Sequence, residues 1–381
     1  MKRSVLFLLV LVCTASMVFA GGGGQRDSNA VSIGAIFPLS GPVAHFGNES
    51  RDGALLAVEE INAAGGLLGR QLVLISEDDQ GSCELTINAF TRLRQMHNVP
   101  VVVGSSTSGA TIAVSTLAQQ SGVVLISPSA TNINVTHAGN FVFRACFIDP
   151  FQGVVGAEFA YNELGSRRAA ILFDAGADYN TGLAEAFRNQ FRSLGGTIVA
   201  DEAYQTGDVD FNAQVTRIRA ANPDVVYLPN YYQDVSLQIR QLRAQGVNTA
   251  LVGGDGWDGL IDHIGDEGLN GFWSAGFAAD TTEPRGVAFV NAFQRRFNRP
   301  ATQFAALGHD SMMIVAEAIR AANSFEPAAI RDAMARTNGP FITGNIRFDA
   351  DRNPIKGAAI MEISRRDGRM ANVYRTTVNP R

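Results

Sequence analysis

Apolar runs of four to seven residues recur along the chain, and most are followed by a segment whose apolar positions return every three or four residues. "VSIGAIF" (31–37), "QLVLIS" (71–76), "VPVVVG" (99–104) and "GVVLIS" (122–127) have the length and β-branched content of buried strands. Between them, 51–63 sets Leu55, Val58 and Ile61 on one helical face and stops at "NAAGG", and 84–96 and 110–121 predict two more helices. The rhythm then restarts. "RRAAILF" (167–173), "TIVA" (197–200), "DVVYLPN" (224–230), "ALVGG" (250–254) and "GFWSAGF" (271–277) predict strands, with helices at 181–194, 211–221 and 233–245 and a short one after "ALVGG". Residues 284–336 predict three helical segments and 344–376 predict β-hairpins. Strands alternating with helices indicate parallel sheets covered on both faces, and two series of about 120 residues each predict two α/β lobes.

Ligands of such sheets bind beyond the carboxyl ends of the strands. The residues after each apolar run are therefore the candidates. "VVVG" runs into Ser105-Ser106-Thr107-Ser108-Gly109-Ala110 at a helix start. One of these hydroxyls would suffice as a helix cap; together with free N–H groups they would also suit a carboxylate. "VVLI" runs into "SPSATN", which reads either as a turn or as the floor of a site. Side by side, the two stretches can donate to a carboxylate and accept from an ammonium without adding charge. Phe46, Tyr179, Tyr231 and Tyr232 follow other strands and read as packing or as apolar pocket walls. Asp255, after "ALVGG", reads as a helix cap or as a partner for a ligand ammonium.

Composition narrows the classes. The 381 residues are 46% hydrophobic and 18% charged, enough for two cores and unlike a disordered chain. A formal charge of −5 without a basic block argues against nucleic acid as a partner. Lys2 and Arg3, then "VLFLLVLV", then Val18-Phe19-Ala20 predict a Sec signal peptide over 1–20, followed by a flexible linker over 21–29. The apolar core of that signal is short for a membrane span. Export permits disulfides. Of three cysteines Cys13 leaves with the signal, and pairing of Cys83 with Cys146 stays open. Two cysteines without a His partner at ligand spacing predict no metal site. "GDGWDG" (254–259) matches G-x-G-x-x-G, but the bulk of Trp257 and the charges of Asp255 and Asp258 exclude a pyrophosphate. There is no G-x-S-x-G elbow and no P-loop, and the five histidines sit in no motif, so no catalytic residue and no cofactor are expected.

The chain from 30 to 376 resembles the periplasmic binding proteins of the leucine/isoleucine/valine type. The likeness is carried by "IGAIFPLSGPVAHFG", "GALLAVEEINAAGGLLGRQLVLISEDD", "GSSTSGA", "ISPSATN", "FVFRACFIDPFQG", "DYNTGLAEAF", "PDVVYLPNYYQDV" and "GGDGW", in that order. The resemblance implies the type I periplasmic binding protein fold: α/β, with two Rossmann-like lobes joined by three crossovers. It draws an N-terminal lobe from 30–147 and 278–357 and a C-terminal lobe from 148–277 and 358–381. It implies that Ser108, Ser129, Ala130 and Thr131 hold the carboxylate and ammonium of an amino acid from the first lobe. Asp255 would pair with the ammonium, Tyr179 and Tyr231 would be second-lobe contacts, and Phe46 and Phe304 would lie near the ligand side chain. Asp255 stands where relatives often carry Glu, and Thr107 stands at one cysteine position of the family's disulfide, which excludes that bridge. The implied protein is a monomeric, periplasmic, non-enzymatic binder that delivers an amino acid, branched-chain by expectation, to the permease of an ABC importer. Another amino acid, an amide or a small carboxylate, or a sensory role, are the alternatives.

Overall fold

The computed structural model describes residues 30–380; the predicted signal peptide and linker lie outside the described residues. The first sheet has five parallel strands in the order β2-β1-β3-β4-β5. They are β1 (Ala30–Phe37), β2 (Gln71–Asp78), β3 (Val101–Gly104), β4 (Val124–Ser127) and β5 (Val142–Arg144). Helices α1 (Ala44–Ala63), α2 (Cys83–His97) and α3 (Ser108–Ser121) connect the first four. The central strands β3 and β4 are apolar almost throughout because each face is covered, whereas the edge strand β2 is only partly buried. Val101 and Val103 of β3 point into one core with Ala57, Val58 and Ile61 of α1, and Val102 points into another with Phe90 of α2 and Val114 of α3.

The second sheet is mixed, with seven strands in the order β14-β13-β10-β9-β8-β6-β7. Five parallel strands, β6 (Arg168–Asp174), β7 (Thr197–Tyr204), β8 (Val225–Leu228), β9 (Ala250–Gly253) and β10 (Gly271–Ala275), are extended by an antiparallel hairpin of β13 (Ala358–Arg366) and β14 (Arg369–Val378). Helices α4 (Asp149–Glu158) and α5 (Asp178–Ser193) cover one face; α6 (Asn212–Ala221) and α7 (Tyr232–Ala244) cover the other. Between β10 and β13 the chain returns to the first lobe as α8 (Pro284–Phe297), α9 (Gln303–Ala322), α10 (Pro327–Met334) and the hairpin β11 (Asn338–Phe341) and β12 (Gly344–Arg347). The chain thus passes between two Rossmann-like lobes three times, after β5, after β10 and after β12. No helix among the described residues is long and apolar enough to cross a membrane.

Three elements depart from the sequence reading. Helix α1 begins at Ala44, well before the predicted 51, and its predicted face is shifted, with Leu55 only half-buried. Its first turns bury Phe46, Glu49 and Ser50, residues that carry no apolar period. Strand β5 has three residues, too few to show a pattern, and α4 carries Pro150, Gly153 and Gly156, which lower helix propensity. The α4 helix forms nonetheless because its Val155 and Ala157 pack in one core with Leu183 and Phe187 of α5.

The crossovers are tied together by buried polar groups. Asp310 of α9 accepts from the backbone N–H groups of Ile342 (3.0 Å) and Thr343 (2.9 Å) and from the Thr343 hydroxyl (2.7 Å). Lys356, just before β13, donates to that same hydroxyl and, at 3.4 Å, to the carbonyl of Ala145 just after β5. Burial lowers the Lys356 pKa to about 8, with Asp310 and Cys146 raising it. Replacing Asp310 by Ala leaves one buried and one half-buried amide without acceptors and should destabilise the fold by about 2–4 kcal/mol. Urea unfolding of Asp310→Ala checks this, with a lower midpoint and an unchanged slope expected.

Candidate functional site

Strands β3 and β4 end side by side, and the loops beyond them are knitted together. Gly104 ends β3 at φ 131°, and a Cβ there would stand 2.0 Å from the Ile36 carbonyl oxygen. Ser105 donates to Asp79 (2.5 Å) and Ser127 to the Ser105 carbonyl (2.6 Å). The Ser129 hydroxyl donates to the Ser106 carbonyl at 2.8 Å, and the Ser108 hydroxyl accepts from the N–H of Asn132 at 3.2 Å. From the end of β5, the buried Arg144 guanidinium holds the "SPSATN" loop through the carbonyls of Ala130 (2.9 Å), Asn132 (2.8 Å) and Ile133 (3.3 Å). Most of the hydroxyls therefore build the loops. Two features are left over. The N-cap of α3, Thr107, makes no side-chain cap, and the buried hydroxyls of Ser106 and Thr131 have no hydrogen-bond partner among the described residues.

Across the cleft, Asp255 opens a short 3₁₀ turn after β9 and is 3% exposed. It does not cap a helix. Its Oδ1 accepts from Gln152 of α4 (2.9 Å) and from the Tyr179 hydroxyl (3.0 Å), which itself accepts from the N–H of Gly256 (3.1 Å). The Asp255 carbonyl accepts from Gln303 of α9 at 3.0 Å, and the same Gln303 accepts from the N–H of Gly276 at 2.7 Å. Gln303 thus joins the site loop, the crossover after β10 and the first lobe. Burial raises the Asp255 carboxyl to about 6, against the hydrogen bonds from Gln152 and Tyr179, which lower it. Asp149, at the start of α4, is pushed to about 8 by burial and by the Asp255 charge, while the Thr131 hydroxyl and Arg144 pull it down.

Between these walls lies a small cavity of about 10 Å³, room for roughly one water molecule. Phe46, Ser108, Ser129, Tyr179, Tyr231, Asp255 and Phe304 line it, together with Ser106 and Gly256. The aromatic rings are layered: Tyr179 stacks on Tyr231 at 4.9 Å, Phe46 meets Tyr231 edge-on at 5.5 Å, and Phe304 lies 4.4 Å from Phe46. Of the residues singled out from the sequence, Ala130 and Thr131 stay behind the wall. Ala130 spends its N–H on Ser127 and its carbonyl on Arg144, and the Thr131 carbonyl accepts from the N–H of Asp149. Sequence reasoning passed over Ser106, although it stands in the hydroxyl run, because only the fold shows which hydroxyls have no structural bond. Gln152 lies on the unpredicted α4, and Gln303 carries no local signal. Trp257 of "GDGWDG" is fully buried and donates to the Leu228 carbonyl at 2.9 Å, leaving no room for a nucleotide. Cys83 and Cys146 are free thiols; burial pushes Cys146 up to about 12.

A family model described as periplasmic binding protein matches residues 30–369. The Leu/Ile/Val-binding protein BraC3 of Rhizobium johnstonii is 35% identical over 317 residues, 83% of this chain and 86% of that one. The crystal structure of LivJ, a branched-chain amino acid transporter substrate binding protein of Streptococcus pneumoniae in complex with isoleucine, superposes with a TM-score of 0.85 at 33% identity, over 92% of this chain and 100% of that one. The leucine binding protein LivK of Thermotoga maritima superposes with a TM-score of 0.87 at 29% identity, over 92% and 99%.

The raised Asp255 pKa has a stability consequence with a definite sign. An unfolded Asp ionises near 3.9, so between there and about 6 the folded chain with the lobes in contact binds the extra proton and loses stability as pH rises. Asp255→Asn should therefore be more stable than the parent by about 2–3 kcal/mol at pH 7, and the gain should vanish near pH 4. Urea unfolding of both proteins at the two pH values measures it.

Proposed function

The chain belongs to the periplasmic binding protein family, and on that footing we propose that it is an extracytoplasmic solute-binding protein that captures an amino acid with a branched aliphatic side chain and presents it to an ABC importer. The observation that carries the reading is the pairing of opposite chemistries across one small cavity. On the second lobe stands a single desolvated carboxylate, Asp255. On the first stand the uncapped start of α3 and the unpartnered Ser106 hydroxyl. A zwitterion matches both: its ammonium satisfies Asp255, and its carboxylate takes the helix N-terminus and the hydroxyl. Phe46, Phe304 and Tyr231 supply the remaining wall, and among the described residues Asp255 is the only charged group that lines the cavity. That favours an uncharged, apolar side chain. The names of BraC3, LivJ and LivK support the same ligand class.

No bond is made or broken in this role. The ligand touches both lobes only when they meet, so binding shifts the hinge equilibrium toward the closed form. The moving bodies are 30–147 with 278–357, and 148–277 with 358–381, and the closed form is the one a membrane permease reads. Export through the signal peptide over 1–20 places a monomer outside the cytoplasm, where the solute is met.

Isothermal titration of ligand-free protein should show leucine, isoleucine or valine binding with micromolar or tighter affinity, and no heat with any aliphatic amino acid overturns the ligand class. Asp255→Ala should cost about 2–5 kcal/mol of binding free energy, as for a desolvated charge partner. Ser106→Ala should weaken binding about tenfold if its hydroxyl meets the carboxylate.

A further inference from the structure

A second contact joins the lobes beside the cavity without lining it. His45, in the first turn of α1, stands with its Nε2 2.9 Å from Oδ1 of Asp258, three residues beyond Asp255 on the opposite lobe. The side chains are 22% and 7% exposed. The imidazole fits against Gly259, at φ 90°, where a Cβ would stand 2.8 Å from its Cδ2. Tyr232 of α7 closes the other side: its ring meets His45 edge-on at 5.8 Å and its hydroxyl donates to the Pro42 carbonyl at 3.0 Å. His263 stacks on Tyr232 at 5.1 Å. The charged groups facing the imidazole are acidic: Asp258 from the second lobe, Glu49 from its own helix and Asp262 from the turn after Gly259. Glu49 is also paired with Arg299, which holds Asp52 as well.

We propose that His45 and Asp258 form a proton-dependent latch that favours lobe closure, so that ligand capture is tighter when His45 carries a proton. With the lobes apart, the imidazole loses its second-lobe partners. With the lobes together, burial alone would lower the His45 pKa, but the Asp258 hydrogen bond and charge, helped by Glu49 and Asp262, outweigh it and the net shift is upward. The contribution to closure is therefore complete below the pKa of the open form and disappears as pH rises through the raised pKa of the closed form. Closure then takes up a fraction of a proton near neutral pH. This arm is distinct from Asp255, whose protonation weakens ligand binding on the acid side of about pH 6.

The test uses the mature chain, His45→Gln and Asp258→Asn. With leucine as the probe, the parent should lose about threefold to tenfold in affinity between pH 6.5 and 8.5, and titrations in buffers of different ionisation heat should show net proton uptake. Both variants should lose that dependence and the proton uptake, while keeping the parent's thermal unfolding midpoint within a few degrees. Profiles in the variants that match the parent overturn the latch. The ligand arm rests on the reading of the previous subsection, so closure is also followed without ligand, by the distance between spin labels on the two lobes. Its closed fraction should fall from pH 6.5 to 8.5 in the parent and not in His45→Gln, and a fraction indifferent to pH in the parent overturns the latch. Absence of heat with any amino acid, with the spin-label result intact, overturns the ligand reading alone.

Discussion

The structure turns on one carboxylate taken out of water. Asp255 is buried at the meeting of the lobes, and no cation among the described residues pairs with it. An isolated buried charge is costly unless hydrogen bonds or a partner offset the desolvation. Gln152 and Tyr179 supply the hydrogen bonds, and the residual cost shows as a carboxyl that titrates near 6. The remaining cost is what a ligand ammonium can relieve. The surrounding walls follow from the same constraint: aromatic rings raise the value of that charge by excluding water, and a basic residue there would remove the need for a ligand.

On the first lobe the economy is different. Most of a run of hydroxyls builds two adjoining loops, with Arg144 reaching under one of them to three carbonyls. Ser106, Ser108 and Ser129 line the cavity beside the start of α3, and of these three the Ser106 hydroxyl is the one left without a partner among the described residues. Gln303 connects this half to the other, because its two amide ends touch the Asp255 peptide and the crossover after β10. Closure, charge satisfaction and hinge geometry therefore share residues, and the His45–Asp258 pair adds a proton to the same equilibrium.

Much of the fold was legible along the chain because parallel strands covered on both faces are apolar at every position, as "VVVG" and "VVYL" are. Helix α5 was equally plain, since its buried Leu183, Ala184, Phe187 and Phe191 recur at helical spacing. Legibility failed where burial came from a neighbour outside the local sheet. The start of α1 buries Glu49 and Ser50, and α4 carries glycines where Gly153 lies against Ala186 and Phe187 of α5.

The sequence by itself determined the two α/β series and the strand ends where a site must lie, because periodicity is a local property of the chain. Its likeness to a known family also pointed to Phe46, Ser108, Ser129, Tyr179, Tyr231, Asp255 and Phe304 as one group, and the fold sets them around one cavity. Only the tertiary structure decided the individual roles. It set Ala130 and Thr131 behind the wall, left the Ser106 hydroxyl without a partner, and brought Gln152, Gln303 and the His45–Asp258 pair to the cleft. The reason is physical: whether a polar group is free depends on which partners lie within about 3 Å of it, and those partners come from residues far apart in the chain.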